Sequence, residues 1–153
     1  MTDATAENEA RDPYDLDRFL RVQEGVYDHA LAELRSGRKR SHWMWFVFPQ
    51  IDGLGLSPTS RYFSIKSRAE AQAYLDHPVL GKRLLECSDS VLAIRGKTAH
   101  QIFGSPDDMK LKSCATLFET VAAGHAQFGR LLDAYFGGER DAATHRLLAA
   151  SNR

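Results

Sequence analysis

The stretch SRAEAQAYLDHPVLGKRLLECSDSVL, residues 67–92, predicts two consecutive helices. Ser67 and Glu70 have the spacing of a capping box, in which each side chain accepts a hydrogen bond from the other residue's backbone amide. The pair His77-Pro78 ends the first helix, because a residue that precedes proline is disfavoured in helical geometry. Apolar residues then recur at helical spacing along one face of the second helix, at Leu80, Leu84, Leu85, Val91 and Leu92.

The same helix signals recur towards the C-terminus. Thr98 and Gln101 form a second capping box, and Ser105-Pro106 predicts a further start with Ser105 as the N-cap. Gly124 ends that helix. Gly137-Gly138 then separates two more helices, at about residues 126–136 and 140–150.

Towards the N-terminus, one long amphipathic helix is predicted. Asp12 has the position of an N-cap before Pro13, apolar residues follow the helical period to Ser36, and Gly37 is placed to end the helix. Gly25 weakens the middle of this helix by about 1 kcal/mol relative to alanine. The predicted fold class is all-α, a compact single-domain bundle of about six or seven helices with a Gly-rich loop after an aromatic segment.

Composition agrees with one globular domain. The chain has 153 residues, 43% of them hydrophobic and 26% charged, and its formal net charge is zero. That content excludes a disordered or collagen-like chain, and no apolar run is long enough to span a membrane. Residues 1–12 are acidic and poor in apolar side chains, which predicts a disordered tail before a helical domain at 13–150. No secretory signal opens the sequence, so we expect a cytoplasmic protein.

The segment HWMWFVF, residues 42–48, fits either a buried strand or a short buried helix, because periodicity does not separate the two in so short a run. Pro49 ends the segment, and a loop containing Gly53 and Gly55 follows. One interpretation is that Trp43, Phe46 and Phe48 fill the hydrophobic core. They could also form the apolar wall of a small-molecule pocket beside a few polar groups.

The second interpretation defines a candidate site. We expect Trp45, Gln50, Tyr62 and Glu70 to line one concavity, with His42, Lys110 and Ser113 as further wall residues. A helical segment would bring His42 and Trp45 onto one face. Glu70 either caps its helix or acts as a general acid or base, since carboxylates in pockets often have shifted pKa values.

The sequence contains no motif for a metal site, a reactive cysteine or a phosphate-binding loop. The six histidines form no H-E-x-x-H pattern, and Cys87 and Cys114 form no C-x-x-C pair, so we expect no metal site. Both cysteines lie in predicted helices, where a buried thiol is inert. Gly53-Leu54-Gly55 lacks the third glycine and the lysine of a phosphate-binding loop. No cofactor is therefore predicted.

Three stretches resemble a small bacterial family of unknown function whose members are often mislabelled as calpastatin. They are WMWFVFPQIDGLG (43–55), YFSIKSRAEAQAYLDHPVLGKRL (62–84) and IFGSPDDMKLKSCATLFE (102–119), and the resemblance covers about residues 16–136. It implies an all-helical protein without an established activity. A calpastatin would instead be disordered and poor in apolar residues.

A weaker resemblance links residues 67–74 to NADAR domains, helical proteins of ADP-ribose metabolism with a helix of the type S-x-E-H-x-x-Q-A-x-K. Glu70 takes the place of that glutamate, whereas Ala71 and His77 stand where the family has histidine and lysine. The resemblance implies a carboxylate that stabilises an oxocarbenium-like ribosyl cation.

Two functional interpretations remain open. In the first, the protein binds or processes a nucleotide or ADP-ribose-like small molecule near the aromatic segment; an enzyme of this kind would be an N-glycosidase or ADP-ribose-type hydrolase. In the second, it is a protein-interaction or structural module without catalytic activity. Residues 1–12 carry a net charge of −3, so the rest of the chain carries +3. A domain that weakly basic does not favour a nucleic-acid partner, and no membrane partner is expected. The sequence does not predict the oligomeric state.

Overall fold

A computed structural model describes residues 11–151 of the chain. Between Asp17 and Ser151 the chain forms ten helices and the described residues contain no strand. The helices are α1 (Asp17–Gln23), α2 (Tyr27–Arg35), α3 (Met44–Val47), α4 (Pro58–Tyr62), α5 (Arg68–Asp76), α6 (Leu80–Leu92), α7 (Ala99–Phe103), α8 (Asp107–Glu119), α9 (Gln127–Phe136) and α10 (Ala142–Ser151). The all-α fold class is confirmed.

The core forms around α8 and α6. Helix α8 packs against α5, α7, α9 and α10, and α6 packs against α2, α5 and α9. Aromatic rings supply much of the buried volume, and an edge-on contact joins Phe19 to Tyr74, with ring centroids 5.1 Å apart. The fully buried aromatic side chains are Phe19, Trp43, Phe48, Tyr74, Phe118 and Phe128. One connected core makes this a single domain.

The helix count exceeds the predicted six or seven because short helices form in loops and the N-terminal helix is divided. The predicted long helix breaks into α1 and α2 around Gly25, where glycine lowers helix stability. Asp12 as N-cap before Pro13 is wrong, because α1 begins at Asp17 and Leu16 occupies the N-cap position. The Asp12 carboxylate nevertheless accepts hydrogen bonds from the amides of Leu16 and Asp17, at 2.8 and 2.9 Å. Most of the predicted disordered tail, residues 1–10, lies outside the described residues.

The aromatic segment forms a short helix, α3, rather than a strand. Trp43 and Phe48 are buried in the core, whereas Trp45 and Phe46 are half-buried. The loop after Pro49 is tied to the segment before α5 by a bridge between Ile51 and Ile65. Two backbone hydrogen bonds of 2.8 Å make this bridge, from Asp52 N to Ile65 O and from Ile65 N to Gln50 O.

Three predicted helix starts have different outcomes. Thr98 and Gln101 form the complete capping box. Ser67 accepts from the Glu70 amide at 3.1 Å, but the Glu70 carboxylate is bonded elsewhere. Ser105 as N-cap of α8 is wrong: that helix begins at Asp107, and Pro106 occupies the N-cap position without a side-chain cap.

Candidate functional site

A cleft of about 360 Å³ opens beside the half-buried indole of Trp45. Helix α3 supplies Trp45, the loop before α4 supplies Leu54 and Leu56, and the first turns of α8 supply Met109 and Lys110. We call this the Trp45 cleft. Its lining residues are Trp45, Gln50, Leu54, Gly55, Leu56, Ser57, Ser60, Pro106, Met109, Lys110, Ser113 and Asp141. Mostly apolar walls with a few polar groups are typical of small-molecule sites.

The Trp45 cleft contains polar groups with unused hydrogen-bonding capacity. Within the described part of the chain, the Gln50 side-chain amide has no protein partner, and neither has Oδ1 of Asp141. Oδ2 of Asp141 accepts from the Thr144 amide at 3.1 Å and so caps α10. The Ser113 hydroxyl makes only long hydrogen bonds, 3.2 Å to Met109 O and 3.3 Å to Asp141 Oδ2.

Two linked ion pairs end at Lys110, which lines one wall of the cleft. Lys110 Nζ lies 3.8 Å from the centroid of the Trp45 ring and 2.9 Å from Asp107 Oδ1. The other oxygen of Asp107 is 2.8 Å from Lys39 Nζ. Burial alone would raise the pKa of Asp107, but the hydrogen bonds from both lysines hold it below its ordinary value. The carboxylate therefore remains charged and fixes the Lys110 ammonium against the indole.

The segment that leads into α3 is held by Glu33 of α2. Its carboxylate accepts hydrogen bonds from the amides of Arg40 and Ser41, from the Ser41 hydroxyl and from the Trp43 indole. Partial burial opposes the charge, but these four donors outweigh it and lower the pKa of Glu33 from 4.5 to about 2. Glu33 thus fixes the position from which the aromatic segment enters the core.

Glu70 and Tyr62 line a different cavity, of about 270 Å³, which we call the Arg18 cleft. The Glu70 side chain is 2% exposed and forms an ion pair of 2.6 Å with Arg18, whose side chain is 5% exposed. The second carboxylate oxygen of Glu70 accepts from the Lys66 amide at 2.9 Å. Both oxygens are therefore occupied, and the expected single concavity is divided between two clefts.

The sequence does not predict the role of Arg18. Besides Glu70, its guanidinium donates to the carbonyls of Tyr14, Asp15, Tyr62 and Ser64, at 2.6 to 2.8 Å. The pair therefore joins α1 to the segments around α4 and α5. Arginine in an amphipathic helix carries no sequence signal for such a role, because Tyr62, Ser64 and Glu70 are 44 to 52 residues away in the chain.

His42 lies apart from both clefts. Its side chain is exposed, and α3 begins only at Met44, so the expected shared helical face with Trp45 does not form. Of the seven predicted site residues, the structure brings together Trp45, Gln50, Lys110 and Ser113 in one cleft. Asp141 also lines this cleft. Its spacing to Thr144 is a helix-cap pattern, which does not predict a place in a cleft.

A more voluminous concavity than the Trp45 cleft is an open groove of about 1070 Å³ along α5 and α6. It is lined by side chains of both charges, among them Arg35, Lys82, Glu86 and Asp89, and it contains no aromatic side chain beyond its two histidines. Among residues 11–151, no group of three or more side chains is arranged to hold a metal ion. Volume alone therefore does not make this groove the better candidate.

The two cysteines are buried and free. Burial raises the pKa of the Cys87 thiol to about 12 and that of Cys114 well above its ordinary value. Neither thiol has the thiolate character that a nucleophile needs.

In the part of the chain that is described, no helix has the length and apolar content to cross a membrane.

Comparison with known proteins identifies the family. The DUF1810 family of proteins of unknown function matches residues 13–148. The chain belongs to this family. Membership of DUF1810 confirms the predicted assignment to a small helical family of unknown function.

A solved structure has the same fold as this chain. The crystal structure of the conserved hypothetical protein Rv1873 from Mycobacterium tuberculosis is similar, with 51% sequence identity and a TM-score of 0.89. The match covers 90% of this chain and 99% of that one. No curated protein matches the sequence.

Proposed function

We propose that the protein binds a nucleotide-like small molecule in the Trp45 cleft, with a planar ring against the indole. The observation that carries this proposal is the combination of a half-buried tryptophan, apolar walls and unpartnered polar groups in one cavity. Planar rings stack on aromatic faces, and polar edges provide orientation. A volume of about 360 Å³ is near the lower end for ligand sites, which favours a single base with its sugar.

Two groups provide specificity in this proposal. The Gln50 amide is both donor and acceptor, so it can pair with the edge of a base or a nicotinamide. Lys110 supplies a positive charge at the cleft wall, although Asp107 neutralises part of it. A ligand with one anionic group therefore fits better than a polyphosphate.

The proposal concerns binding. Hydrolysis of an N-glycosidic or ADP-ribose bond by Glu70 stays a prediction, and the geometry gives it less support because Glu70 lines the Arg18 cleft. Both Glu70 oxygens accept hydrogen bonds already, whereas a general acid or base needs an oxygen that reaches the substrate. An assay of ribose or ADP-ribose release with the wild-type protein and Glu70→Gln tests this separately.

Thermal-shift measurements test the binding proposal directly. Adenosine, adenosine monophosphate, nicotinamide and ADP-ribose form the panel. A ligand at a hundred times its Kd stabilises the folded state by about 2.7 kcal/mol, which corresponds to a rise in Tm of about 5–10 °C for a domain of this size.

Matched variants decide where a ligand binds. Gln50→Ala should abolish the shift in Tm, whereas Gln72→Ala should preserve it. Gln72 lies on α5, and among residues 11–151 its side chain bonds only to Asp76. Equal loss in both variants, or no shift with any panel member, would remove the support for the proposal.

The interaction-module interpretation depends on a different observation. Leu56 and Met109 are 75% and 49% exposed, and both border the Trp45 cleft. If this border docks a second copy of the chain, the protein should sediment as a dimer. Leu56→Ser with Met109→Ser would then yield a monomer, whereas the small-molecule proposal expects no dependence of mass on these residues.

A further inference from the structure

Two segments of the chain are basic and contain no acidic residue. Residues 34–43 and 93–106 together hold six lysines and arginines and no aspartate or glutamate. The first segment follows the end of α2, and the second connects α6 to α8 through α7. The six residues are Arg35, Arg38, Lys39, Arg40, Arg95 and Lys97.

The fold joins these segments. Lys97 Nζ donates to the carbonyl of Gly37 at 2.9 Å, and the amide of Lys39 donates to the carbonyl of Ile102 at 2.7 Å. Gly37 has a φ of 83°, which lets the chain turn directly after α2. Two basic segments that are distant in sequence therefore form one surface, a feature that net charge does not reveal.

Five of the six cations are exposed on this surface, and we call them the basic face: Arg35, Arg38, Arg40, Arg95 and Lys97. Within residues 11–151, none of the five forms an ion pair. The four arginine side chains also donate no hydrogen bond to any residue in that range. Their guanidinium groups are therefore free to bind an anion.

Acidic side chains that contact the two segments form no ion pair with the basic face in the described part of the chain. The Glu33 carboxylate keeps its charge but accepts only from backbone, hydroxyl and indole donors. Asp108 lies 3.7 Å from His100. Asp107 is held between Lys39 and Lys110. Only Arg35, at one edge, also borders the groove that contains Glu86 and Asp89.

Helix dipoles do not account for this cluster. A cation near a helix C-terminus is stabilised by the dipole within the last turn. That explanation suits Arg35, which ends α2, but Arg38, Arg40 and Lys97 lie beyond the helices. The positive charge therefore exceeds what helix stability requires.

We infer that the basic face binds the phosphodiester backbone of a nucleic acid, independently of the Trp45 cleft. Four of the five side chains are arginines, whose planar fork matches phosphate oxygens in a bidentate way. Large exposed apolar side chains, which a membrane-binding surface uses, are Leu56, Tyr62, Val79 and Met109 in the described residues, and none belongs to the two segments. Backbone contacts of this kind read no sequence.

Fluorescence anisotropy with labelled oligonucleotides tests the inference. Single-stranded RNA, single-stranded DNA and duplex DNA are titrated with the full chain at about 50 and 200 mM salt. With about five phosphate contacts, the affinity should fall about 100-fold for single strands and about 500-fold for a duplex over this range. The three arms show which form of the backbone is preferred.

Matched double variants locate the interaction. Arg38→Gln with Arg40→Gln should weaken binding at low salt by about tenfold or more and reduce the salt slope by about 1.4 to 1.8. Arg130→Gln with Arg146→Gln removes the same charge from exposed positions on α9 and α10 and should change affinity less than about threefold. Circular dichroism checks that both variants are folded.

Three results would overturn the inference. The first is the absence of binding at low salt, and the second is equal weakening by both double variants, which would mean that charge alone is sensed. The third is tighter binding to phosphatidylcholine–phosphatidylserine vesicles than to any oligonucleotide, which would make the basic face a membrane surface.

Discussion

Lys110 Nζ lies 3.8 Å from the centroid of the Trp45 ring, and Asp107 holds it there through a contact of 2.9 Å. An ammonium group over an indole is attracted by the ring quadrupole. The contact joins the first turn of α8 to α3, and so it sets the shape of the Trp45 cleft on one side. The ligand binding that we propose for the cleft depends on the position of Lys110 in this wall.

Lys110→Met keeps the apolar stem of the side chain but removes its charge. We expect a loss of about 1 kcal/mol in the free energy of unfolding and a change in tryptophan fluorescence, because the charge beside Trp45 is lost. Lys82→Met, at an exposed position on α6, should change stability by less than about 0.5 kcal/mol. Identical emission spectra of the wild type and Lys110→Met would contradict the contact.

Gly81 allows a close backbone approach between α5 and α6. A Cβ atom at this position would lie 1.9 Å from the carbonyl oxygen of Leu75, so the backbone must move to accept any side chain. Gly81→Ala should destabilise the fold by about 2–4 kcal/mol in urea denaturation. Gly25→Ala is the control: nothing lies within 4 Å of its Cβ, and we expect a change within about 1 kcal/mol. Similar costs for both substitutions would show that packing at Gly81 is not the cause.

The fold class could be predicted from the sequence because its signals are local. Thr98 and Gln101 are three residues apart, and Gly137 ends α9 in the left-handed conformation that glycine favours. Predicted helix boundaries are wrong where tertiary contacts compete with local signals. The apolar pattern around Gly25 predicts one continuous helix, but the structure has two helices there.

Four of the seven predicted site residues lie in the Trp45 cleft, and local signals account for two of them. Trp45 and Gln50 are close in sequence, and the aromatic content of their segment predicts a pocket wall. The pairing of Glu70 with Arg18 could not be predicted, because 52 residues separate them and the capping-box spacing offers Glu70 a nearer partner. Asp141 has the same character: it reaches the cleft through the packing of α10 on α8.

Removal of one partner of the Arg18–Glu70 ion pair should lower the free energy of unfolding substantially. Glu70→Gln leaves the Arg18 guanidinium without its counter-charge in a buried place, at a cost of about 3 kcal/mol in the free energy of unfolding. Asp17→Asn breaks an exposed pair with Arg21 and should cost less than about 0.5 kcal/mol. A Glu70→Gln protein as stable as the wild type would contradict the structural role of this pair.

The lowered pKa of Glu33 predicts that the folded state loses stability in acid. Its pKa falls from 4.5 to about 2 on folding, so it stabilises the folded state above about pH 4.5. That stabilisation is lost as the pH decreases through this range to about 2. Unfolding by urea at pH 7 and at pH 3 should show a smaller pH-dependent loss for Glu33→Gln than for the wild type. Parallel pH profiles of the two proteins would mean that Glu33 does not retain its charge through these hydrogen bonds.

The most direct test of nucleotide-like binding is the response of the two indole N–H signals in a 15N-labelled NMR spectrum. Trp45→Phe assigns the signals by removing one of them. On addition of the panel member with the largest effect on Tm, the account predicts that the Trp45 signal shifts with ligand concentration and saturates. The Trp43 indole, bonded to Glu33 in the interior, should move little. An unshifted Trp45 signal at a ligand concentration that raises Tm would contradict the account, since the ligand would then bind elsewhere.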